Sequence, residues 1–135
     1  MGNINTIDVI SAQITALQAS INAIPVLTET GGTVTTDGTE QNVYINDAPA
    51  GVYQPRIVSL DFTNQTAAET LRVRTYYRET SGGGYIKRGD KTFAGVQDPL
   101  SKEIILRENR YGIKVTIEKT AGANKAYIWE VFYKV

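Results

Sequence analysis

A chain of 135 residues with 14 Lys+Arg against 14 Asp+Glu carries no net field that would draw nucleic acid or an anionic membrane. It has no cysteine and no histidine, which excludes disulfide frameworks and thiolate chemistry and removes the commonest general base and metal ligand. The length suits one compact domain with an appendage, and no apolar run reaches the roughly 18 residues of a membrane span.

Charge is unevenly placed. Residues 1–27 contain only Asp8, so all 14 bases and the other acids lie in 28–135. No basic, then apolar, leader pattern opens the chain, and no signal peptide is expected. Asn3 and Asn5 are candidate helix caps, Asp8 would sit in the first turn at the positive dipole end, and Pro25 should end the helix. Between them Ile7, Ile10, Ile14, Leu17, Ile21 and Ile24 recur in alternating steps of three and four, an unbroken a/d heptad seam. Isoleucine at every a position leans toward three strands rather than two. Residues 1–27 are therefore expected to form an oligomerisation or docking helix, and 28–135 a β domain.

The back of that helix differs from that of a free-standing coiled coil. Val9, Ala12, Ala16, Ala19 and Ala23 repeat the pattern on the opposite side, and the e and g positions Ser11, Gln13, Gln18 and Ser20 carry no charge pairs. This side is expected to dock on a further surface, with packing on the chain's own β domain as the alternative.

Residues 26–30 read as a connector, and Gly31-Gly32 as a place to turn. Strands are expected at 33–36, 40–46, 56–63, 69–79, 85–93, 101–106, 111–119 and 126–135, separated by Gly, Asn and Asp turn signals. Val58, Leu60 and Phe62 alternate onto one face, as do Leu71, Val73, Thr75 and Tyr77, and Ile113, Val115 and Ile117. The last strand is apolar on both sides, with Ile128 and Phe132 opposite Tyr127, Trp129, Val131 and Tyr133. It is expected to be central or to meet another subunit, which adds Ile128 and Phe132 to the oligomerisation set. Seven or eight hairpin-linked strands without intervening helices predict a mainly β fold, an antiparallel β-sandwich of jelly-roll type with one N-terminal α-helix.

No residue set asks for catalysis, a metal or a cofactor, and a non-enzymatic protein is expected. Arg72, Arg74, Tyr76 and Arg78 share one strand face and could bind a partner or grip phosphates; pairing with acids such as Glu69, Glu103, Glu118 or Glu130 is the favoured reading. Arg88-Gly89-Asp90 is an integrin-type tripeptide, more simply a turn with solvated charges. Asn64-Gln65-Thr66 reads as a turn rather than a glycosylation acceptor, and Asp37, Glu40 and Asp47 as loop polarity rather than calcium ligands.

The Ile7 to Ile24 heptads, the Thr/Gly-rich segment 28–33 and the strand-rich end 111–135 together resemble bacteriophage and related viral virion proteins. C1q-like and TNF-like trimers share the plan but usually carry export signals. The resemblance implies a homotrimer located in the virion, assembled in the host cytoplasm. Its partners would be itself and other virion proteins such as the major capsid protein, with no nucleic acid and no membrane. The role implied is capsid decoration, with a receptor- or glycan-binding head or tail fibre tip as the alternative.

Overall fold

The structure, a computed structural model, describes residues 6–22, 27–47 and 54–134. One helix, α1 (Thr6–Asn22), precedes eight strands: β1 (Leu27–Thr35), β2 (Gln41–Asn46), β3 (Gln54–Asp61), β4 (Thr70–Tyr77), β5 (Ile86–Ala94), β6 (Ser101–Ile105), β7 (Ile113–Ala121) and β8 (Ala126–Lys134). The strands form two four-stranded antiparallel sheets, β1-β8-β3-β6 and β2-β7-β4-β5. First pairs with last, second with seventh, third with sixth and fourth with fifth, and β3–β8 and β4–β7 contacts complete the sheets. The chain is in effect one long antiparallel ribbon rolled into a sandwich, which is the jelly-roll order.

This wrapping revises one expectation. Only β4 and β5 are joined as a hairpin, through the glycine-rich tip 81–84; every other strand-to-strand link passes from one sheet to the other. The turn signals at Asp37-Gly38, 95–99 and 121–124 therefore mark crossings between layers. At the last of these, Gly122 has φ +82°, and an added Cβ would lie 2.7 Å from the Ala68 carbonyl oxygen. The β7–β8 crossing thus touches the β3–β4 crossing through a glycine that has no side-chain-bearing substitute.

The strand boundaries agree with the sequence pattern to within a few residues, save at the start. The segment 27–30, read as a connector, belongs to β1, and Gly31-Gly32 lies inside that strand. The glycines make room for a neighbour. A Cβ on Gly32 would lie 3.3 Å from Trp129 Nε1, and one on Gly31 would lie 2.7 Å from the Trp129 carbonyl oxygen.

The core follows from alternation. Leu71, Val73 and Tyr77 of β4 meet Val58, Leu60 and Phe62 from the other sheet, with Ile113, Val115, Ile117, Tyr127 and Val131 buried among them. Phe62 packs 4.9 Å from Phe93 and 5.5 Å, edge-on, from Tyr127. Over this end the β3–β4 crossing is tied down by polar groups. Tyr127 Oη donates to Gln65 Oε1 at 2.7 Å, and Gln65 Nε2 donates to the carbonyls of Phe93 (2.9 Å) and Gly95 (2.8 Å). The Glu69 carboxylate, buried beside it, accepts from the Thr66 N–H, which is the main reason its pKa lies below the ordinary value. Asn64, in the same crossing, donates to the Ala126 carbonyl oxygen and is a structural turn residue, as expected.

Removing the Tyr127 hydroxyl would leave Gln65 Oε1 buried without its donor. Tyr127→Phe should cost about 1–3 kcal/mol, lowering the melting temperature by roughly 4 °C per kcal/mol for a domain of this size. Calorimetry on the two proteins measures this directly.

Candidate functional site

Three surfaces carry the residues singled out from the sequence: the helix and the outer face of each sheet. Ala23 and Ile24 lie outside the described residues, as do Asn3, Asn5, Pro25 and residues 48–53. The helix from Thr6 to Ile21 is exposed along its whole described length, including Val9, Ala12, Ala16 and Ala19. The seam residues run from 48 % exposed at Ile10 to 71 % at Ile7. Over its described residues α1 is thus not covered by the sandwich. Thr15 and Ser20 return their hydroxyls to the carbonyls of Ser11 and Ala16, four residues back, so polar groups beside the seam are partnered within the helix. With 17 residues, α1 is not long and apolar enough to cross a membrane.

The outer face of β1-β8-β3-β6 holds the second apolar set. Register places Phe132 opposite Ile57, and Ile57 opposite Ile105, so the three form a row across β8, β3 and β6. Phe132 is 37 % exposed and Ile105 76 %; Ile128, two rows away, is 51 % exposed. The expectation that β8 is buried on both faces is thus met on only one within the chain. β8 is central in its sheet, yet its outer side chains face outward uncovered. Sequence reading found Ile128 and Phe132 but not Ile57 and Ile105, because their alignment depends on the β3–β8 and β3–β6 registers.

The outer face of β2-β7-β4-β5 is ionic, and its arginines are engaged within the chain. Arg72 Nε donates to Asp90 Oδ1 at 2.7 Å and a second guanidinium nitrogen reaches Oδ2. Arg74 donates to Glu118 at 2.6 Å and also to Glu40. Tyr76 Oη donates to Glu40 at 2.8 Å, and Arg78 pairs with Asp47 at 3.3 Å and lies over the Tyr85 ring. Lys114 sits 4.7 and 4.8 Å over the Tyr76 and Tyr85 rings. Pairing with acids was the favoured reading, but of the four acids named only Glu118 takes part. Glu40 and Asp47, read as loop polarity rather than calcium ligands, are arginine partners.

The tripeptide Arg88-Gly89-Asp90 is not a turn. It lies within β5, where Arg88 pairs with Glu79 and Asp90 with Arg72. Gly89 stands opposite Thr75, and an added Cβ would come within 2.4 Å of Thr75 Oγ1, so the glycine answers to strand packing.

The network leaves an electrostatic signature. Hydrogen bonding from Arg72, then from Lys87, holds Asp90 down at about 2, against an ordinary 3.8. Burial works against the Arg74 charge, yet hydrogen bonds to Glu118 and Glu40 outweigh it and raise its pKa. Burial pushes the Tyr85 phenol up to about 12, helped by its hydrogen bond to Asp47.

No protein-family model matches this chain, and no curated protein is significantly similar to it in sequence. The reading of its surfaces therefore rests on its own residues.

A carboxylate with a depressed folded pKa stabilises the fold fully above its unfolded value and loses that contribution as pH falls through the folded value. For Asp90 the window runs from 3.8 down to about 2. Asp90→Asn should have a lower urea midpoint than the wild type at neutral pH, and the gap should close across that window. Parallel midpoints down to the bottom of it would place the acid response elsewhere.

Proposed function

We propose that this chain is a non-enzymatic virion structural protein: a homotrimer, joined through the Ile7–Ile21 seam, that decorates a capsid with its jelly-roll heads. The observation that carries the reading is the helix. Its seam residues are exposed in the single chain, and isolated helices of this length are marginal in water. Each seam side chain removed from water contributes on the order of 1.5–3 kcal/mol. Three copies meeting at the seam offset the cost of ordering the helix.

The same physics separates the roles of the two helix sides. Isoleucines at a and d fill a three-stranded interior, whereas the small uncharged back admits close approach by a flat partner such as a capsid shell. The apolar row Phe132–Ile57–Ile105 and the neighbouring Ile128 give the heads a further surface for contact with one another or with the shell. The arginine face, neutralised within the chain, does not favour the nucleic-acid reading.

Light scattering after size exclusion is expected to give a trimeric mass for the full chain. Ile14→Asp combined with Leu17→Asp should yield a monomer that keeps the sheet signal in circular dichroism and no longer binds empty capsids of its virus. A monomeric wild type that leaves such capsids bare would end the proposal.

A further inference from the structure

Where β5 and β6 run along the same flank of the sandwich, the core is left unfinished. Opposed residues in an antiparallel pair share a face, so the partners of Leu71, Val73, Thr75 and Tyr77 on β5 are its inward positions. These are Phe93, Lys91, Gly89 and Ile86. Only Phe93 packs against the core. Lys91 stands where an apolar side chain would close the layer, Gly89 beside it presents no side chain, and a recess of about 270 Å³ opens there. Its floor is Val73, Thr75, Tyr77 and Ile104, all buried, and Arg88, Lys91 and Arg107 stand around it. Its one lining acid, Asp90, is held by Arg72 and Lys87. Neither Lys91 nor Arg107 has an ionic partner among the described residues, whereas Arg88 is shared with Glu79.

A second recess of about 160 Å³ adjoins the first, with Tyr77 and Arg88 common to both. Asn109 lines it, only 7 % exposed, with neither its amide nitrogen nor its amide oxygen hydrogen-bonded within the protein. A buried amide with both a donor and an acceptor unused calls for a partner that supplies both, as a hydroxyl does.

We propose that these two recesses form one ligand site for an acidic sugar unit, a hexuronate or a chemically similar carboxylate on a hydroxylated ring. The carboxylate lies between Lys91 and Arg107, with Arg88 alongside. Both Asn109 amide atoms are shielded from solvent in the unliganded chain, so ring hydroxyls meet them as the side chain turns into the recess past Arg88, and the C–H face of the ring covers Val73 and Ile104. A net-positive rim above an apolar floor selects such an amphipathic anion over a fully hydrated one. Addition of a peptide strand to β5 is less suited, because Lys87, Arg88, Asp90 and Lys91 and the bulge at Thr75/Tyr76 guard that edge. The site lies on one chain and does not depend on trimer formation.

The test uses the full chain with D-glucuronate as probe, followed by calorimetry and by two-dimensional NMR of the amide signals. Saturable binding is expected by about 50 mM, ample for a millimolar Kd, with shifts centred on β5, β6 and residues 107–111, and weakening as salt is added. Lys91→Ala with Arg107→Ala, both exposed, should fold normally and bind at least about tenfold more weakly, as the loss of charge-assisted contacts requires. Glucose should not bind measurably, and acetate should bind more weakly than glucuronate. In Asn109→Leu the preference for glucuronate over acetate should vanish while cooperative melting is kept. Absence of saturable glucuronate binding, undiminished binding in the double variant, or acetate binding as tightly as glucuronate would each overturn the assignment.

Discussion

The pleat of β4 is the constraint on which the rest of the molecule depends. Hydrogen-bonded to β5 on one side and β7 on the other, it cannot rotate to suit either of its faces. Its inward set fills the sandwich and its outward set holds Arg72, Arg74 and Tyr76, with Arg78 just past its end, so a slip of one residue would bury the guanidinium groups and expose the core. Register is specified from both sides at once. The acids that answer the arginines arrive from β5, β7 and the 40 and 47 positions flanking β2, and each pair forms only in this register. Exposed ion pairs of this kind contribute little stability singly; their weight lies in the alternative registers they disfavour.

The same alternation explains what could be read before the structure and what could not. Inward runs such as Val58-Leu60-Phe62 and Ile113-Val115-Ile117 announce themselves with period two, and all six residues are buried. Wrapping does not announce itself, because a turn signal is the same whether the next strand joins the same sheet or the facing one. Glycine misled twice for a common reason. Gly31-Gly32 and Gly89 read as breaks, yet each lies inside a strand where a neighbour comes too near for a Cβ. Local sequence carries the absence of a side chain but not the tryptophan or threonine that requires it. The β5–β6 recess was illegible for a related reason: Lys91 and Gly89 look outward until the pairing with β4 turns them in.

The two outer faces divide the labour of the sandwich. One pairs most of its charges internally, although Arg78 Nε and Thr116 Oγ1 on it are buried without a hydrogen bond. The other presents Phe132, Ile105 and Ile128 uncovered, with Ile57 half-buried between the first two, as the helix presents its isoleucines. Apolar residues scattered singly on a surface need no explanation, but a row aligned across three strands and a seam repeated along a helix are patterned exposure. Both sit in a chain most of whose other apolar strand positions are spent on the core, Ile45 and Ile86 being exposed. In the proposed trimer, association through the seam would bring three heads near one another, and an apolar head surface would then have a partner within reach at high effective concentration.

The recess on the β5–β6 flank differs from these faces in kind. An apolar row is silent about its partner until something covers it, whereas a cavity lined by unpaired cations and an unused amide states the chemistry it would accept. An aliphatic side chain at position 91 would be the stabilising choice for a sandwich edge, since close packing is worth more than a solvated lysine. Local departures from the best-packed solution are expected where a surface serves something other than folding. Here the departure is confined to two adjacent inward positions of one strand and one asparagine. The rest of the core is closed around them, so the flank is held open by a rigid frame rather than by loose packing. A frame of that kind fixes the backbone positions of Lys91, Arg107 and Asn109 before a ligand arrives, leaving the exposed Lys91 and Arg107 side chains to be ordered on binding.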